Sequence, residues 1–181
     1  PPARADNLDD PDTRDGALRL AVRKEPDLFV RDYSVRELVR VGLPVNGLFL
    51  KDVTFATRKD DQDNRIGQGI LQALAQPPLT SQKRQLLVEL LLDPRFEPFW
   101  TRPNTRMGMD MCRQYGIWAV NAHAGREMIG DSIQNRLTDP AESDKALTEL
   151  RQVVRRLREE DREMSRSATM PATHSGTKAK D

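Results

Sequence analysis

The amino-acid sequence predicts a mainly α-helical bundle of about four to six helices, with a small β-hairpin near residues 45–57 and flexible tails. Three observations predict this class. Apolar residues recur at helical spacing in several segments after residue 64. Helix-capping sequences precede some of these segments. Both ends of the chain are rich in polar and helix-breaking residues instead.

The composition suits one domain whose surface is not strongly charged. The 181 residues include 29 Lys and Arg against 28 Asp and Glu, which gives a net charge of +1. The chain as a whole therefore does not attract polyanions, and any nucleic-acid site must come from local placement of basic residues. We expect a flexible arm over residues 1–13, one helical domain over 14–166 and a flexible tail over 167–181.

The single cysteine, Cys112, is compatible with a reducing compartment. No apolar stretch approaches the ~20 residues that span a bilayer, and no signal-peptide pattern opens the sequence. We therefore expect a protein of the cytoplasm, or of the interior of a viral particle, without a membrane partner.

The first third of the chain contains the weaker signals. Residues 17–22 fit either a strand or a short helix, and helix is slightly favoured. Ser34 and Glu37 form a capping box, which predicts a short helix that starts at Ser34 and closes near Gly42. The β-rich runs 48–50 and 53–55 follow Asn46-Gly47, which predicts the hairpin.

The rest of the chain contains stronger helix signals, from caps, Pro and Gly. In the segment 105–137, Met111, Tyr115 and Trp118 are expected among the buried residues, and the glycines make a break plausible. The predicted helices run from Arg65 to about Gln76, from Thr80 or Ser81 to Asp93-Pro94, over 105–137 as one long helix or two shorter ones, and from Asp139-Pro140 to about Ser165.

The sequence offers little support for a catalytic site or a metal site. Cys112 and His123 are eleven residues apart, roughly 16 Å along a continuous helix, which excludes a catalytic dyad and predicts a buried thiol. His123, Glu127 and Asp131 share one face of such a helix, but a single-helix trio without a second ligand source favours hydrogen bonding over a metal.

Cofactor motifs are incomplete as well. The Gly67-Gln68-Gly69 sequence lacks the third Gly of a dinucleotide fingerprint and the Gly-Lys-Ser/Thr of a P-loop. We therefore expect no cofactor and no metal.

Aromatic and guanidinium groups alternate in the connector over residues 95–106. Its rings Phe96, Phe99 and Trp100 can stack on bases, or they can close the end of a bundle as a rigid connector while the arginines stay in water. The general preference of aromatic side chains for burial favours the second alternative, in which the rings close the end of the bundle. The arginines assigned as provisional phosphate contacts are Arg95, Arg102, Arg106 and Arg113.

The last predicted helix has an apolar seam with charged flanks. Pairs such as Arg155 with Glu159, one helical turn apart, are expected to stabilise a solvated face. The seam itself has the a/d spacing of a self-association or docking helix. Its residues are Leu147, Leu150, Val154 and Leu157.

These observations favour a self-assembling structural protein that coats or packages nucleic acid through its phosphate backbone, without base specificity. The expected partners are copies of itself and nucleic acid, RNA rather than DNA. The alternative is a helical adaptor or regulatory domain, for which an exposed apolar groove on a complete monomer would be diagnostic. An enzyme is the least favoured class because no catalytic constellation is present in the sequence.

Overall fold

The computed structural model describes residues 21–22, 24, 26–40, 47–55, 64–103 and 110–169. Within these ranges the chain is mainly helical and contains no strand, which confirms the predicted class. The described residues form eight α-helices, more than the four to six predicted. They are α1 (Leu28–Arg40), α2 (Gly47–Thr54), α3 (Arg65–Ala75), α4 (Ser81–Leu91), α5 (Glu97–Thr101), α6 (Met111–Ala124), α7 (Asp131–Leu137) and α8 (Ser143–Thr169).

The predicted hairpin is wrong for the residues that the structure describes, because Gly47–Thr54 is a helix. Leu50 and Thr54, one helical turn apart, are both buried, and α2 packs on α3 and α4. Strand preference in a short apolar run reflects the surface on which it packs, and here that surface is formed by two helices. Positions 45, 46, 56 and 57 lie outside the described residues.

Helix α1 begins at a different residue from the one that the capping box predicts. The backbone amides of Phe29 and Val30 donate to Asp27 Oδ1 at 2.8 and 3.2 Å, so Asp27 is the residue that caps the helix. Ser34 lies buried in the middle of α1. The predicted start at Ser34 is therefore wrong, because a polar residue inside a helix can resemble a cap in sequence.

Helices α3 and α4 begin where the sequence predicts them. The Asn64 side chain accepts a hydrogen bond from the Gly67 amide, and the Thr80 side chain accepts one from the Lys83 amide. The two helices end at Ala75 and Leu91, close to the predicted stops.

Helix α3 is the central helix, and α1 runs parallel to it. The guanidinium of Arg65 lies 4.7 Å from the Phe29 ring centroid at the start of both helices. Arg36 Nη1 donates to Gln72 Oε1 at 2.8 Å towards their ends. A Cβ added to Gly69 would lie only 2.1 Å from Asp32 Oδ1, so a larger residue at this position would displace the Asp32 carboxylate.

Helix α6 lies parallel to α3 on another side. At the start of both helices, Asn64 Nδ2 lies 3.7 Å from Cys112 Sγ. At their ends, His123 Nε2 lies 2.9 Å from the Leu74 carbonyl oxygen. Helices α1, α3 and α6 therefore form a parallel layer with α3 at its centre.

The segment 105–137 forms two shorter helices in its described part. Gly125 ends α6 with a positive φ of 64°. Asn121 Oδ1 accepts hydrogen bonds from the backbone amides of Met128 and Ile129 at 2.8 and 3.0 Å and so fixes the turn that leads to α7. The predicted helix start at Asp139 holds only approximately, because residues 139–142 form a turn and α8 begins at Ser143.

The remaining predicted boundaries are those of the arm and the tail at the two ends of the chain. The predicted arm over 1–13 lies outside the described residues. Residues 167–169 of the predicted tail form the last helical residues of α8, and the remainder of that tail also lies outside them. Helix α8 packs against α4, α5, α6 and α7 and completes the core.

We expect Asp27→Ala to lower the free energy of unfolding by about 1 kcal/mol, because it removes the cap of α1. Ser34→Ala is the matched control, and its effect should stay within about 0.5 kcal/mol because alanine is a better helix former than serine. Urea unfolding followed by circular dichroism measures both. If Ser34→Ala lowered the free energy of unfolding more than Asp27→Ala, the result would indicate that the helix begins at Ser34, as the capping box predicts.

Candidate interaction surface

The aromatic rings of the connector belong to the core. Phe96 and Trp100 are buried, and their ring centroids lie 5.2 Å apart in an edge-to-face arrangement. Phe99 is partly buried, with its centroid 5.3 Å from that of Phe96. Of the two interpretations of the connector, the structure therefore favours the rigid plug over base stacking, since buried rings cannot receive a base.

Arg113 is a structural residue and is not accessible to phosphate. Its side chain is 1% exposed, and Nη1 donates to the carbonyl oxygens of Trp100 and Arg102 at 3.1 and 2.8 Å. These carbonyls lie at the end of α5, where helical partners are missing. Burial lowers the pKa of the Arg113 guanidinium, and Asp110 opposes this shift. The prediction that Arg113 contacts phosphate is therefore corrected.

Arg95 and Arg102 reach solvent but already have partners. Arg95 Nε donates to Asp93 Oδ1 at 3.0 Å, and this hydrogen bond lowers the pKa of Asp93. Arg102 Nη1 donates to Asp110 Oδ2 at 3.2 Å. Each guanidinium also lies over a ring, that of Phe55 for Arg95 and that of Phe99 for Arg102. Arg106 lies outside the described residues.

The apolar seam of the last helix is inside the fold. All four of its side chains are buried in the core that α8 shares with α4 and α7. The seam is therefore not available to a second copy or to a docking partner, and its assignment to oligomerisation is corrected. The side chains in question are Leu147, Leu150, Val154 and Leu157.

The break at Gly125 separates His123 from Glu127 and Asp131, so the three do not share a continuous helical face. His123 is buried and bonded between helices, to the Leu74 carbonyl oxygen. Cys112 is buried as predicted.

Among the described residues, six large hydrophobic side chains are exposed, and five of them lie on α1 and α6. On α1, Phe29 and Tyr33 are 68% and 65% exposed, and Val30 lies beside them at 44%. On α6, Met111 and Trp118 are 40% and 41% exposed. Such a concentration on two helices differs from the scattered single exposures that are normal on protein surfaces.

Tyr115 joins the two exposed residues of α6. It is half-buried, and its ring centroid lies 6.1 Å from that of Trp118. The spacing of Met111, Tyr115 and Trp118 places all three on one side of α6. The prediction that these side chains are buried is therefore corrected.

The two aromatic edges border the same strip of α3. Eight of the eleven residues of α3 are buried, and only Arg65, Gln68 and Gln72 are half-exposed. Helix α1 reaches this strip at both ends, through Phe29 on Arg65 and Arg36 on Gln72. Around the axis of α3, the strip lies between the side that meets α1 and the side that meets α6.

We therefore define the α1–α6 surface as Phe29 and Tyr33 on one edge and Met111, Tyr115 and Trp118 on the other. Charges around it are paired, as in Arg36 with Asp32 and Arg40 with Glu37. Sequence reasoning missed the surface because α6 is apolar on two sides. Its buried side uses Cys112, Gly116, Ala119 and Val120, so the larger side chains are left to the other side.

Comparisons of this chain with protein-family models, with curated proteins and with solved structures gave no match. Among the described helices, none has both the length and the apolar character needed to cross a bilayer. Nor do three His, Cys, Asp or Glu side chains come together as metal ligands within the described ranges. Function is therefore inferred from the exposed surfaces.

We expect Arg113→Met to lower the free energy of unfolding by about 2–4 kcal/mol, since it leaves two buried carbonyls without donors. Arg95→Met, at an exposed arginine, should cost less than about 1 kcal/mol. Thermal and urea unfolding of both variants test this. Equal stability of the two variants would show that the Arg113 guanidinium does not hold the end of α5.

Proposed function

We propose that this chain is a structural protein that assembles with copies of itself through the α1–α6 surface. The observation that carries the proposal is the exposure of Phe29 and Tyr33, each about two-thirds open to solvent beside a second aromatic edge. Exposed apolar side chains gathered on neighbouring helices mark interaction sites, because water penalises their exposure.

The area of the surface is sufficient for a specific contact. A fully buried aromatic side chain covers about 150–250 Å², so the five side chains offer roughly 400 Å² at their observed exposures. Apolar atoms make up about 57% of a typical interface, so the corresponding interface is roughly 700 Å² per copy. This lies near the ~800 Å² per partner of a standard protein–protein interface.

A second copy of the chain is the partner that the surface suits best. The net charge of +1 lets copies approach without long-range repulsion. The charges that frame the surface are already paired within one copy, so they need no complementary charges on a different protein. A two-fold axis over the strip of α3 would bring the α1 edge of each copy onto the α6 edge of the other and bury both edges twice.

Coating of nucleic acid, with RNA preferred, remains a prediction. Arg95 and Arg102 are the predicted phosphate contacts that reach solvent, and each would have to exchange a carboxylate for a phosphate. The adaptor function uses the same apolar surface with a different protein, so oligomeric state separates it from self-assembly.

We expect the full chain to elute as a dimer or larger species in size-exclusion chromatography with light scattering. The double variant F29S/Y33S should associate at least ~30-fold more weakly and elute as a monomer, because aromatic residues at the centre of an interface contribute about 2 kcal/mol or more each. The ultraviolet absorbance ratio of the same peaks reports bound nucleic acid.

Leu79→Ser is the matched control. Leu79 is 39% exposed, close to the value for Trp118, but it lies between α3 and α4 and is not one of the five residues of the α1–α6 surface. Its replacement should leave the mass unchanged. A wild-type monomer at high concentration, or a F29S/Y33S species that keeps its mass, would contradict self-assembly through this surface; melting temperatures verify that both variants fold.

A further inference from the structure

A cleft of about 210 Å³ lies between α4 and α8, on elements that do not contribute to the α1–α6 surface. It is smaller than the roughly 300–1,000 Å³ of a typical small-molecule site, so it suits one charged group better than a whole cofactor. The residues that line it are Arg84, Gln85, Val88, Glu89, Arg158 and Arg162.

Guanidinium groups dominate this cleft. Arg84 is fixed in place, because its Nη2 donates to the His123 carbonyl oxygen at 2.9 Å. Neither Arg158 nor Arg162 has an ion pair or hydrogen bond with any residue that the structure describes. Three positive groups thus face the single carboxylate of Glu89, and that carboxylate accepts a hydrogen bond from Gln85 at 3.0 Å.

The unpaired arginines continue along α8 as a stripe. Arg155, Arg158 and Arg162 stand at i, i+3 and i+7, which places them on one side of the helix. All three are exposed. The predicted pair of Arg155 with Glu159 is not among the interactions of the described residues, so Arg155 is also unpaired there. Glu159 stands four residues after Arg155 and three before Arg162, so one carboxylate borders the stripe, while Glu160 and Glu163 lie further around the helix.

The length of the stripe indicates an extended ligand. From Arg155 to Arg162 the helix rises roughly 10 Å, whereas the phosphates of one stacked nucleic-acid strand repeat about every 3.4 Å. An isolated anion would occupy only the cleft, but a strand could contact the whole stripe. The lining of the cleft contains no aromatic side chain that could stack on a base, so contact would be with the backbone and independent of sequence.

We infer that Arg155, Arg158 and Arg162, with Arg84 across the cleft, bind the phosphodiester backbone of a single nucleic-acid strand, for which single-stranded RNA is the probe. This site is separate from the connector arginines and does not depend on self-assembly. Guanidinium suits the role because it donates two parallel hydrogen bonds to phosphate. The near-neutral net charge of the chain makes such a local stripe necessary for binding.

Fluorescence anisotropy with a labelled 20-nucleotide single-stranded RNA of mixed sequence, titrated with the full chain between 50 and 200 mM salt, tests the inference. The variant R155Q/R158Q/R162Q should bind at least tenfold more weakly. Its plot of log affinity against log salt should lose about two units of slope, since each phosphate contact contributes about 0.7. The charge-matched control R126Q/K145Q/R156Q replaces three exposed cations that belong to neither the stripe nor the connector and should lose less than about threefold.

The other outcomes overturn the inference in distinguishable ways. No binding by the wild type in 50 mM salt would refute the inference. An equal loss in both triple variants would show that the stripe has no specific role, and a greater loss in the control would place the phosphate contacts elsewhere on the surface. Titration with inorganic phosphate alone tests whether the stripe binds a free anion instead of a strand. Saturable phosphate binding that is lost in R155Q/R158Q/R162Q, without affinity for RNA, would reassign the stripe to a free anion. The same titrations with F29S/Y33S separate RNA binding from self-assembly.

Discussion

The burial of α3 is the constraint on which the rest of this structure depends. Eight of its eleven residues are covered, and the contact at Gly69 is so close that Asp32 occupies the space of a side chain. Helix α1 lies parallel to α3, with Asp32 at the contact and Arg36 at its solvent-exposed rim. Helix α6 is fixed on another side of α3 by contacts at both of its ends.

This arrangement explains why α1 exposes aromatic residues while it covers charged ones. Asp32 and Arg36 are needed at the α3 contact, where they bond to each other and Arg36 bonds to Gln72. Phe29 and Tyr33 lie on the same side of α1 as these two residues, at the outer rim of the contact, and remain exposed to water. Exposed rings on a packed helix cost hydration free energy unless a partner covers them, and for that reason we assign this side to assembly.

Apolar and basic surfaces are separated by the core. The α1–α6 surface lies on the α1, α3 and α6 layer, whereas the arginine stripe lies on α8, which packs on α4 and α7. Copies that pair through the first surface would leave the second open, so a two-fold dimer of this chain would present two stripes to one strand. Repeated weak contacts of that kind give high overall affinity through effective concentration.

The sequence by itself determined the helical class, the caps at Asn64 and Thr80 and the buried thiol, because these depend on local periodicity and on groups within one turn. Only the tertiary structure decided which side of each helix is inside. Residues 47–54 are helical and pack on two neighbouring helices. The seam of α8 is buried in the core. The Arg113 guanidinium donates to carbonyl oxygens at the end of α5. Local patterns specify that a face is apolar or basic, but whether that face meets the chain itself or a partner depends on packing between residues distant in sequence.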